Sequence, residues 1–146
     1  MRRTLLLGLA FLLLGAAGCS DYDPQTPDTK ANQQAFRMMT GVAPDADITG
    51  IYAYADEFSG MDPLYCMAFT ATADAVARVV RSLDMVPAES SFWHENFSVP
   101  ASVVWWDAEA RQASRLYVAE NKAAKTRSYL WHHRQTGKCQ FLMVGF

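Results

Sequence analysis

The chain has 146 residues, with 13 lysines and arginines against 15 aspartates and glutamates, a formal net charge of −2. That length leaves room for one domain rather than two, and a domain of this size buries roughly two thirds of its unfolded surface. The acidic balance argues against a general nucleic-acid binder, so no nucleic-acid partner is expected. The chain opens on Arg2 and Arg3, runs through thirteen apolar or glycine residues from Leu5 to Ala17, and reaches Cys19 through Gly18. Basic, then apolar, then small is the order of a secretory signal peptide. As a helix the apolar run would reach only about 20 Å, short of the ~30 Å hydrocarbon core of a bilayer.

A cysteine placed directly after Ala16-Ala17-Gly18 resembles the lipobox of bacterial lipoproteins, a likeness that covers about the first twenty residues. The resemblance implies that the Cys19 thiol is acylated, that the chain is cut before it, and that the new amino group is acylated too. Two or three acyl chains anchor stably where a single one binds only marginally. Ser20 resembles the outer-membrane sorting signal of Gram-negative lipoproteins, and Asp21 stands one place beyond the position where aspartate favours the inner membrane. The expectation is therefore a lipid-anchored outer-membrane protein facing the periplasm. The alternative is an ordinary secretory signal cut after Ala17 or Gly18, which leaves Cys19 as a plain thiol.

Without residues 1–18, a chain of 128 residues carries 11 bases and 15 acids, a net charge of −4. The charge is split, −7 over residues 19–75 and +3 over residues 76–146. With Cys19 spent on the anchor, Cys66 and Cys139 remain in an oxidising compartment, where a disulfide between them is expected. Their alternative is two separate buried thiols acting as small hydrophobes.

Residues 19–30, rich in Asp21, Asp23, Pro24, Pro27 and Asp28, read as the lipidated N-terminus and an extended tether. A short helix follows over 31–40, with Asp28 or Thr29 as its cap, an apolar face of Ala35, Met38 and Met39, and Gly41 to end it. Ile48 to Ala55 alternates as a strand, with Ile51, Ala53 and Ala55 opposite Tyr52 and Tyr54. Leu64 to Thr70 is a second strand, with Leu64, Cys66 and Ala68 on one side. The main helix begins at Thr70 or Thr72 and runs to about residue 84. Val76, Val79, Val80 and Leu83 form its apolar stripe, with Arg78 and Arg81 on the polar side. Residues 88–113 hold Phe92, Trp93, Phe97, Trp105 and Trp106, a density of rings expected to pack back over the core. Asp107 is placed to cap a short helix through Ala113. Three strands close the chain as a meander, over 114–120, 126–134 and 139–146, with Gly137 in the second turn. Leu142, Val144 and Phe146 resemble the closing strand of an outer-membrane barrel, but such barrels need at least eight strands and five are readable. The fold expected is α+β: one globular domain over 31–146, with an antiparallel sheet of about five strands and one main helix on a face.

The residues that carry chemistry are few. Cys66 with His94, His132 or His133 would make a nucleophile and base, yet Cys66 lies in an apolar strand where no thiolate is stabilised. His132 and His133 are strand neighbours pointing to opposite faces, and no zinc-type spacing occurs, so neither a metal nor a cofactor is expected. Between residues 111 and 138, seven bases face the single acid Glu120. Among them Arg115, Lys122, Lys125 and Arg127 are the candidates for gripping an acidic or phosphate-bearing envelope partner. The alternative for such residues is protection of a sheet edge. A non-enzymatic binding or envelope-assembly module is the reading these features favour. An inhibitor or immunity-like protein is the second, and a small Cys–His hydrolase the third.

Overall fold

The computed structural model describes residues 22–56, 64–89 and 99–145. Cys19, Phe92, Trp93, His94, Phe97 and Phe146 lie outside the described residues.

Among the described residues nine elements follow one another: α1 (Lys30–Thr40), β1 (Ile48–Asp56), β2 (Leu64–Ala71), α2 (Ala73–Ser82), β3 (Val86–Ala88), α3 (Ala108–Gln112), β4 (Arg115–Asn121), β5 (Thr126–His132) and β6 (Lys138–Gly145). The six strands form one antiparallel sheet in the order β1-β2-β6-β5-β4-β3. The α+β class holds, with six strands instead of about five. The extra strand is β3, a three-residue edge centred on Pro87, too short and too proline-bound to register as a strand in sequence. No helix among the described residues is long and apolar enough to cross a membrane.

Both faces of the sheet are buried. Over one lie α1 and α2, whose Ala35, Phe36, Ala75, Val76 and Val79 pack on Ile51, Met67, Phe69, Leu130 and Phe141. Phe36 meets Phe69 edge-on, with ring centroids 4.9 Å apart. Two helices thus share the face where one main helix was expected. On α1, Phe36 and Asn32 point inward while Met38 is 56% exposed, so its apolar face differs from the Ala35-Met38-Met39 stripe. The other face carries Cys66, Leu116, Tyr129, Trp131 and Leu142, and Trp105 and Trp106 pack over it.

The caps match the local chemistry. Thr29 accepts from the Asn32 amide at 3.1 Å, and Thr72 from the Ala75 amide at 3.2 Å. Gly41 ends α1 in the left-handed region. At Gly137 (φ 70°) an added Cβ would stand 2.9 Å from the Ala71 carbonyl oxygen, so only glycine fits the β5–β6 turn.

Residues 22–29 do not form a free tether. The Asn32 amide side chain, fully buried, accepts from Asp23 N–H and donates to the carbonyls of Asp23, Thr26 and Ile51. Asp28 takes the N–H groups of Gly50 and Ile51 on its two carboxylate oxygens, each at 2.9 Å. Those two residues lie in a β-bulge where the register slips between Thr49 and Tyr52, which lets Ile48 and Ile51 face the same side. The Trp105 indole N–H donates to Pro24 O at 2.8 Å. Polar side chains that look solvated in sequence are satisfied here by orphan backbone groups.

The expected Cys66–Cys139 disulfide is absent: both are free, buried thiols. β2 and β6 are indeed neighbours, but Cys66 stands opposite Leu142 and Cys139 opposite Phe69. An offset of three positions puts the two side chains on opposite faces of the sheet and ~10 Å apart along it, beyond the 4.4–6.8 Å that a bridge spans.

Candidate functional site

α2 leaves the β4 side of the sheet open along one flank. Leu83 N–H closes the helix onto Val79 O, and Asp84 (φ 51°) turns the chain away so that Met85 N–H returns to Val80 O at 2.9 Å. Between the flank of α2, from Ala73 to the turn at Asp84, and strands β4 and β5 lies an open cleft of about 750 Å³. Its floor is apolar: Val76, Val80, Met85 and the ring of Tyr117. Its polar groups are Arg81, Asp84, His132 and Arg134.

Pairing brings a further cation to the same end. Arg115 stands directly opposite His132 across the β4–β5 pair, and its guanidinium carbon lies 5.2 Å from the centroid of the Tyr117 ring. Among the described residues, no carboxylate lies within ion-pair distance of Arg81, Arg115 or Arg134. His132 is buried at 6% exposure, and burial, then the charges of Arg134 and His133, hold its pKa below the usual value of 6.5. Its imidazole is neutral at pH 7 and able to donate one hydrogen bond and accept another.

The bases expected to act together are dispersed. Arg115 stands at the start of β4, while Lys122 and Lys125 sit on the exposed β4–β5 turn, some 20 Å further along the hairpin. Arg127 points to the opposite face, where Glu120 pairs with it at 3.0 Å. Arg111 lies over the Trp106 and Trp131 rings, 4.5 and 5.5 Å from their centroids, and donates to Gln140 Oε1. Of the seven, Arg134 lines the cleft and Arg115 stands beside it over the Tyr117 ring; Arg81, His132 and Tyr117 complete it. In sequence Arg81 had only the polar side of α2 as its signal, and nothing local linked it to β5.

The thiols offer no nucleophile. Burial pushes Cys66 and Cys139 each up to about 12. Cys66 lies on the face opposite His132; Cys139 stands across from His132 in the β5–β6 pair, but its S–H donates to Gly137 O at 3.5 Å. His133 is engaged by the Thr136 hydroxyl at 3.0 Å. Among the described residues, no group of three or more histidines, cysteines, aspartates or glutamates is placed to hold a metal ion. The cleft therefore sets two guanidinium groups and a neutral imidazole against the single carboxylate of Asp84 over an apolar floor, an arrangement with a net positive charge that suits an anion carrying an apolar portion. No protein-family model, no curated protein and no solved structure matches the chain.

Proposed function

We propose that this protein is a lipid-anchored, periplasm-facing outer-membrane lipoprotein, acylated at Cys19, that acts as a non-enzymatic binding module. Its receptor site is the cleft beside α2, and its partner is an acidic or phosphate-bearing envelope molecule with an apolar portion. One observation carries the binding role: Arg81 and Arg134, without a carboxylate partner within ion-pair distance among the described residues, line an apolar-floored cleft whose one acid is Asp84, and Arg115 stands beside it opposite His132. An anion placed there would gain charge-assisted hydrogen bonds while its apolar part covers Val80, Met85 and Tyr117. The inhibitor-like reading draws less support, because Trp105 and Trp106 pack onto the sheet instead of presenting a flat aromatic surface.

Two measurements test the two halves. Intact-mass analysis of the membrane fraction should find a chain that begins at Cys19 and is heavier by its acyl groups; a soluble, unmodified chain would end the anchoring. Dodecyl phosphate should bind the full chain more tightly than inorganic phosphate does, and more weakly as salt rises. Arg81→Gln with Arg134→Gln should weaken that binding at least tenfold at unchanged melting temperature. Equal affinity in the double variant would remove the cleft from the account.

A further inference from the structure

If Cys19 carries the anchor, the domain hangs on a very short leash. Three peptide units separate it from Tyr22, and Tyr22 already packs against the helix-side core. Five peptide units separate it from Pro24, whose carbonyl is tied to the Trp105 indole, so the acylated residue lies within about 18 Å of that bond. A body of this length has a radius of gyration of about 14 Å and is roughly 35 Å across. The leash is shorter than the body, and the end that carries residues 22–28 is held toward the lipid surface.

The neighbour of that seam is residues 99–106, Val-Pro-Ala-Ser-Val-Val-Trp-Trp, eight residues without a charge. Gln25 Nε2 donates to Ser102 O at 3.1 Å, a second tie between the seam and this loop. Pro100, Ala101, Ser102 and Val104 are exposed, Val104 at 80%, while Val103 is buried and holds the loop down. Trp105 is half-buried and stacks on Tyr52 of β1, an amphipathic ring at the same edge. The cleft lies toward β4, four strand spacings or ~19 Å across the sheet from β1.

We infer that the 100–105 loop is the membrane-contacting surface of the domain, with Val104 dipping into the lipid interface beside the anchor and the cleft turned toward the periplasm. This rests on the anchoring proposed above. An interfacial segment of this kind buries its apolar side by about 5–10 Å at the boundary of headgroups and acyl chains. Val104 and the uncharged residues before it suit that depth. Val86 on β3 is also exposed, at 61%, but stands at the opposite edge of the sheet, so it serves as the internal control.

The test uses the lipidated full chain, purified from membranes and reconstituted into phosphatidylethanolamine–phosphatidylglycerol vesicles. A nitroxide is attached at Val104→Cys in one sample and at Val86→Cys in another. Cys66 and Cys139 are buried, with thiols near 12, and escape the label. Relaxation by oxygen should exceed relaxation by a water-soluble nickel chelate severalfold at position 104, and the order should reverse at position 86. Equal access of the nickel chelate to both labels in a chain that floats with the vesicles overturns the contact and leaves the anchor standing. A chain that carries no acyl mass and does not float overturns both.

Discussion

The two faces of the sheet are buried by different means, and the difference decides where a ligand fits. Helices cover one face with Phe36 and with small and aliphatic side chains, and an open cleft lined by Arg81 and Arg134 remains between α2 and β4. Rings cover the other: Trp105 meets Trp106 edge-on, Trp106 meets Trp131 at 5.9 Å, and Trp131 stacks with Tyr129. Arg111 illustrates the contrast with Arg115. Both are arginines of one basic stretch, yet Arg111 is half-buried between rings, while Arg115 is exposed at the cleft end. Burial lowers the pKa of Arg111, the mark of a guanidinium that serves packing. The same residue type is structural on the sealed face and available on the open one.

The largest effects should come from the buried centres. Phe36→Ala, which empties a fully buried ring site, should cost about 3–5 kcal/mol by chemical denaturation. Asn32→Ala leaves several buried backbone groups without their partner and should cost roughly 2–4 kcal/mol, unravelling residues 22–28 first in hydrogen exchange. An equal loss of protection across the domain would contradict the role of Asn32 as a local clamp.

Arg111→Ala and Arg115→Ala break the comparison directly. The first loses two ring contacts and the Gln140 hydrogen bond and should cost about 1–3 kcal/mol; the second should change stability by less than about 0.5 kcal/mol. Similar costs for the two would mean that the faces are not as different as their packing indicates.

Much of this contrast was legible in sequence, and the illegible part has a common cause. The alternation of β1, β2 and β6, the Thr72 cap, the stripe of α2, the Asp107 cap and the Gly137 turn are all local patterns, and all were readable. What failed was non-local. Whether Cys66 and Cys139 share a face depends on the register of β2 against β6, and an odd offset reverses the answer. The acids of residues 22–29 look like a solvated tether until the bulge at Gly50 supplies the amides that Asp28 accepts. The cleft joins Arg81 to Arg134, residues of elements separated by three strands in the chain, and periodicity carries no such information.

Smaller effects concern the thiols and the histidine. Reductant should leave the melting temperature unchanged, and alkylation of the unfolded, unreduced chain should label both Cys66 and Cys139; a single disulfide-linked species would restore the bridge. His132 binds its proton less readily in the folded chain than in the unfolded one. Stability from this group is therefore fully present above the unfolded value near 6.5 and is lost as pH falls below it. His132→Gln should flatten that part of the stability curve between pH 7 and 5, and an unaltered slope would assign it elsewhere.

The most direct measurement of the central claim is a titration of the ¹⁵N-labelled full chain with dodecyl phosphate at pH 7, followed by amide and imidazole resonances. The account expects shifts clustered on Val76, Val80, Tyr117 and His132, and a rise in the His132 pKa as the bound anion stabilises the imidazolium. Shifts confined to Lys122 and Lys125 on the β4–β5 turn, with His132 unmoved, would contradict it.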